Sequence, residues 1–276
     1  MRTTGEDAVG LTAASAPLAI RHLSSDDRVA VARWDAFVDA CPEASFFHKA
    51  GWQRIVSEVF RHRTYFLYAE RAGLIEGVLP LAQVKSLLFG NSLTSLPFAV
   101  YGGVAAASAA AVEALEREAQ ALARQLGVAH LELRNVRRRH AEWPLQDLYV
   151  RFRKDLAPDV EANMQAIPRK QRAMVRKGIK NGLSSEIDND CRRFFALYAD
   201  NVHRHGTPAF SRRYFEALQQ VFGADCEILT VVEGSGRPLS SVLSFYFRDE
   251  VLPYYAGDEI SARELAANDF KYWELM

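Results

Sequence analysis

Cysteine is scarce in this chain, with three in 276 residues, Cys41, Cys191 and Cys226. They are odd in number, far apart and never in a CxxC spacing, which argues against a disulfide framework and against a cysteine-ligated zinc site. Net charge is also missing: 34 Lys and Arg balance 34 Asp and Glu, so bulk charge names no partner. No run of about 20 apolar residues occurs, and the opening MRTTGEDAVG carries acidic residues where a signal peptide needs an apolar stretch. These features lead us to expect a cytoplasmic protein without a transmembrane segment. There is no GxGxxG after a strand, no P-loop, no GxSxG elbow and no kinase motif set, which disfavours dehydrogenase and nucleotide-hydrolysing roles. His22, His48, His62, His130 and His140 show no metal-ligand spacing, so no metal is expected.

What the chain does have is an internal repeat. Trp52 is followed eight residues later by Phe60, then TYFLYAE, a turn at Arg71-Ala72-Gly73, the apolar run GVLPLAQV, and Pro97 to Gly103. Tyr214 is followed eight residues later by Phe222, then CEILTVVE, a turn at Gly234-Ser235-Gly236, LSSVLSFYF, and Pro253 to Gly257. Two copies of helix, strand, hairpin, strand and aromatic-Gly strand end imply a tandem duplication of one α/β unit. Residues 1–16 read as a mobile tail. The first domain is expected over 17–157, with strands at LAIRHL, HLELRNV and DLYVRFRKDL and a long helix ended by Gly127. The second spans 158–276 and stops inside ANDFKYWELM, at the start of the helix equivalent to the long one, so its end is expected to be missing.

Three features could carry chemistry. Between Arg134 and Lys180 stand thirteen Lys and Arg against five Asp and Glu. Part of this excess is the loop RNVRRRH. The rest is PRKQRAMVRKGIK, which on a helix lines up Arg169, Arg172, Arg176 and Lys180 with Lys170 and Lys177 beside them, opposite Ile167, Met174, Val175 and Ile179. Such a face can bind a polyanion, or it can be an ordinary solvated surface. The second feature is the pair of aromatic-Gly segments, Tyr101-Gly102 and Tyr254-Tyr255-Ala256-Gly257. Glycine lets a ligand or another backbone come close, and two successive phenols on a strand should point to opposite faces, where one could donate to an oxyanion. Tyrosines in strands are also commonly packing residues. Third, His203 and His205 close a helix, a position that suits a cap as well as a proton relay.

IPRKQRAMVRKGIKNGL, FFALYADNVHRHGTPAFSRRYFEALQQVF and VLPYYAGDEISARELAANDFKYWELM together resemble the FemAB-related proteins associated with exosortase and PEP-CTERM exopolysaccharide systems. These are part of the wider Fem peptidyltransferase family, built from two GNAT-like N-acyltransferase domains. The resemblance covers most of the chain and is strongest from Ile167 to Met276. It implies a mixed α/β fold of two GNAT-like domains and an acyl donor that is aminoacyl-tRNA or acyl-CoA, with no tightly bound cofactor. The acceptor would be an amine on a peptidoglycan, envelope or exopolysaccharide precursor, with a peripheral membrane-surface contact as a further partner. Tyr254, Tyr255 and His205 are then the catalytic candidates. Arg54, Tyr101, Gly102, Arg169, Lys170, Arg172, Arg176, Gly257, Asn268 and Tyr272 are the substrate-binding candidates. No long helical-hairpin insertion is present, which weighs against tRNA as the donor. The competing expectation is a non-catalytic binder of anions or nucleic acid with degenerate acyltransferase domains.

Overall fold

A computed structural model describes residues 16–86, 90–146 and 150–276. The N-terminal tail and part of DLYVRFRKDL lie outside them. The chain divides into two compact units, Met1–Leu145 and Gln146–Met276, each with its own sheet. The division falls earlier than the sequence expectation near residue 157.

In the first unit, α1 (Arg28–Ala40) starts at Asp27, whose carboxylate accepts from the N–H groups of Val29 and Ala30. A short helix α2 (Gly51–Arg54) runs into a π-helical turn, Ile55–Val59. The sheet comprises β1 (Ala19–His22), β2 (Arg63–Arg71), β3 (Leu74–Ser86), β4 (Gly90–Ser95), β5 (Ala105–Ala106) and β6 (His130–Glu132). Its order is β1-β2-β3-β4-β6, antiparallel except for the β4/β6 pair, with the short β5 pairing β3. Alternation along β2 sends Leu67 and Ala69 to one face and Phe66 and Tyr68 to the other. The first pair packs with Leu115, Ala119 and Leu122 of α3 (Ala109–Leu126). The second pair meets Trp34, whose ring lies 5.5 Å from that of Phe66. Gly127 ends α3 with a left-handed backbone, as its position predicts.

The second unit opens with α4 (Val160–Ala166) and α5 (Arg169–Lys180), followed by β7 (Ser184–Ile187), α6 (Arg192–Arg204) and α7 (Arg212–Phe222). Then come β8 (Cys226–Val232), β9 (Pro238–Phe247), β10 (Glu250–Asp258), α8 (Ala262–Leu265) and α9 (Ala267–Leu275). Its antiparallel sheet has the order β10-β9-β8-β7, the same arrangement as β4-β3-β2-β1. In each unit the helix just before the central hairpin carries a buried aromatic, Trp52 on α2 and Tyr214 on α7. The repeat read in the sequence is thus a repeat of sheet order. Leu229, Val231 and Val242 pack with Ala267 and Phe270 of α9 on one face, and α6 and α7 cover the other. Gly178 of α5 makes close helix packing possible, since a Cβ there would come 2.8 Å from Phe270 Cβ.

Two expected strands are not formed. Pro97 to Gly103 is a loop after β4, because Leu96 (φ 39°), Phe98 (φ 69°) and Gly102 (φ 146°) hold backbone angles that no strand continues through. Residues 150–157 are irregular and exposed rather than a strand completing the first domain. Their alternating pattern has no neighbouring strand to pair with among the described residues.

Candidate functional site

The best candidate region is the outer strand of the second sheet, β10, with the helices against it. A bulge interrupts its pairing: Pro253 opposes Ser244 while Tyr255 opposes Leu243, so Tyr254 is the extra residue. A bulge cancels the usual alternation of side chains. The rings of Tyr254 and Tyr255 are 4.9 Å apart and perpendicular, which places both on the α6/α7 face. This corrects the expectation that the two phenols face opposite ways.

Tyr255 stands within an aromatic group formed by Tyr198, Phe210, Tyr214 and Phe215. Its hydroxyl is 3.0 Å from that of the fully buried Tyr214, and burial pushes both phenols well above the ordinary tyrosine range. Neither ionises near neutral pH. Tyr254, half-buried, packs on Phe245 at 5.4 Å. Of the two candidate phenols, it is Tyr255 that hydrogen-bonds the Tyr214 hydroxyl.

Gly257 is needed for packing. A Cβ there would fall 2.4 Å from the backbone nitrogen of Tyr198 and 2.5 Å from the carbonyl carbon of Leu197, so the space beside it is filled by α6. The reading of Gly257 as an opening for a ligand is corrected accordingly. In the first unit, a Cβ on Gly103 would strike the side chain of Asn135, and Gly102 is pressed against Leu96. Tyr101 packs near Phe47, with ring centroids 6.2 Å apart. His48 helps fix this loop: its Nδ1 accepts from the Ser45 N–H, so its Nε2 donates to the Gly103 carbonyl at 2.9 Å.

The other candidates are dispersed. Arg54 is exposed and pairs with Glu58 on the next turn, 3.2 Å away. His205 is exposed at the end of α6, where its backbone N–H donates to the carbonyls of Asn201 and Val202. The two parts of the basic window behave differently. Arg134 is bound to Glu132 and the Ala99 carbonyl, Arg138 to the His140 carbonyl, and Arg139 to Glu43 and the Val104 carbonyl, so three of that loop's four arginines are spent on its own fold. On α5, Arg169, Lys170, Arg172, Arg176, Lys177 and Lys180 form no ion pair with a carboxylate among the described residues. An open depression of about 560 Å³ lies among five of these cations and Ala173. A single helix cannot enclose a ligand, so this is space between splayed side chains. Ile179, expected on the apolar side, is half exposed, because Gly178 takes the buried position against α9.

Sequence reasoning missed a buried charge. Lys271 on α9 is wholly buried, with its Nζ 3.0 Å from Asp258 Oδ1 at the end of β10 and 5.1 Å above the Tyr272 ring. Ser240 donates to the same carboxylate oxygen. Burial lowers the pKa of Lys271, against the opposing pull of Asp258. Tyr272 is raised by burial and then by the Asp258 charge, whereas Asn268 is exposed on the first turn of α9. Lys271 falls at a core position of the helix pattern between Phe270 and Tyr272, and a charged residue there was the available signal. Asp258 and Tyr254 are four residues apart, about 13 Å along a strand, and cannot both touch one reacting carbonyl.

Residues 169–276 match the family model described as an acetyltransferase (GNAT) domain. No curated protein sequence matches the chain significantly. Among solved structures the chain is similar to FemX, at 13% identity and TM-score 0.66, covering 93% of this chain and 84% of that one. It is also similar to the C-terminal DUF2156 domain of a protein from Agrobacterium fabrum described as a lysylphosphatidylglycerol synthetase, at 11% identity and TM-score 0.50, covering 89% and 72%. A tandem GNAT protein from the clavulanic acid biosynthesis pathway aligns at 13% identity and TM-score 0.46, over 94% and 84%. The fold is mixed α/β and GNAT-like, and the match to the acetyltransferase (GNAT) domain model lies within the second unit.

Proposed function

We propose that this protein is an acyltransferase that moves an acyl or aminoacyl group onto an amine of a cell-envelope or exopolysaccharide precursor. The observation that carries the reading is the acetyltransferase (GNAT) match over residues 169–276 of the second unit, a stretch that contains β10 and its tyrosines. The amine nitrogen attacks the donor carbonyl. The oxyanion so formed takes a hydrogen bond from the Tyr254 hydroxyl and from backbone N–H groups of β10. On collapse, the bond to the thiol of acyl-CoA or to the ribose oxygen of an aminoacyl-tRNA breaks, and that group leaves with the amine's proton. The phenol enters the step as a hydrogen-bond donor to the oxyanion. Positioning of the two substrates supplies much of the remaining rate.

The test is a mass-spectrometric screen of the purified chain with acyl-CoAs and charged tRNAs, each with amino sugars and peptide amines as acceptors. Transfer that depends on the protein, and drops with Tyr254→Phe, supports the reading. Absence of transfer from every donor, with anion binding intact, leaves the non-catalytic binder in its place.

A further inference from the structure

The cations of α5 differ from a built phosphate site. Such a site gathers donors from several elements around one group, whereas here Arg169, Arg172, Arg176 and Lys180 stand in line on one exposed helix, about 16 Å from first to last. That geometry suits an extended anionic surface. The apolar surface of the same unit narrows the choice further. Of its nine exposed large apolar side chains among the described residues, five lie between Val150 and Ile179. Phe152 is 90% exposed, Val150 79% and Val160 66%, with Arg151, Arg153 and Lys154 interleaved.

This stretch is tied to the helices that follow it. Asn163 on α4 accepts from the Ala157 N–H at 2.8 Å and donates to the Ala157 carbonyl at 2.7 Å, and Arg153 pairs with Glu250. Arg172 reaches back to Gln165, which joins the exposed side of α4 to the basic face of α5. A polynucleotide would satisfy the charges and leave aliphatic Val150 and Val160 without a partner. A bilayer surface satisfies both, since cations sit at the headgroups while apolar side chains enter the boundary below.

We infer that the 150–180 region docks the second unit onto an anionic lipid bilayer, with α5 against the headgroups and the Val150–Val160 stretch inserted beside it. This is independent of whether the protein transfers acyl groups. The test is co-sedimentation of the full chain with phosphatidylcholine vesicles with and without phosphatidylglycerol, alongside an RNA oligonucleotide. The chain should pellet with the anionic vesicles at low salt, and less so as salt rises. Each near-surface cation contributes about fivefold to partitioning, so Arg169→Gln/Arg172→Gln/Arg176→Gln should lower it about a hundredfold. Phe152→Ser should lower it severalfold with circular dichroism unchanged. Equal pelleting on neutral vesicles overturns the inference, as does indifference to both variants. Binding to the oligonucleotide with none to anionic vesicles makes α5 a nucleic-acid surface and equally overturns it.

Discussion

Lys271 and Asp258 should respond to substitution very unequally. The ammonium is wholly buried, while the Asp258 side chain keeps 31% of its surface in water and a second donor in Ser240. Asp258→Asn therefore strands a buried charge, at a cost of about 3–5 kcal/mol for a broken buried pair. Lys271→Met keeps the volume and removes the charge, and the partly hydrated Asp258 tolerates its loss, so the cost should stay below about 1.5 kcal/mol. The pH dependence follows from the lowered pKa of Lys271. Over the window below 10.5 the unfolded chain holds this proton more tightly than the native state, so stability at this group rises as pH rises through the folded pKa. Without Asp258, which raises that pKa, the window opens at lower pH, and the deficit of Asp258→Asn should shrink towards alkaline pH. Amide hydrogen exchange of α9 and β10, read as the difference from wild type at neutral and alkaline pH, measures this. Equal costs for the two variants, or a deficit that does not narrow with pH, would refute the asymmetry.

Tyr254→Phe should reduce turnover by about 10²-fold with little change in stability. Tyr255→Phe should leave turnover nearly intact and cost about 1–3 kcal/mol in chemical denaturation, because the buried Tyr214 hydroxyl loses its hydrogen bond with the Tyr255 hydroxyl. Gly257→Ala should destabilise by at least about 1–3 kcal/mol, since the clash is with α6 backbone that cannot swing aside, and soluble expression with a thermal melt will show it. His140 donates to Glu116 at 2.7 Å, which raises its pKa above 6.5. Its stabilising contribution is present at pH below 6.5 and is lost as pH rises through the raised folded value, so protease sensitivity of the 136–146 loop should increase across that range in wild type and not in His140→Gln.

How far the sequence carried depends on which interactions decided each element. The order of strands was legible because alternation and helical periodicity persist over whole segments, as in β2, β9 and α3, where burial of one face outweighs local detail. The end of α3 was legible as well, since Gly127 acts within a few residues of where it stands. Tyr254 and Tyr255 were identified as a pair, yet their direction was not, because the bulge is set by the β9 register and leaves no mark in VLPYYAG. The Gly257 opening failed for a related reason: a glycine permits close approach without saying what approaches, and only the packing of α6 settles that it is Leu197 and Tyr198.

Charge followed the same logic in reverse. The excess between Arg134 and Lys180 looked like one feature, and it separated according to what lies within reach of each guanidinium. Arg134, Arg138 and Arg139 sit in a loop with carbonyls close by that their long side chains reach. Helical α5 has already satisfied its carbonyls internally, so its side chains find none to take, and the nearest carboxylates are not placed to pair with them. Secondary structure, more than composition, thus decided which cations remain available to a partner. The same principle hid Lys271: at a core position, helix geometry forces the ammonium inward, and Asp258 at the end of β10 is what makes that burial tolerable.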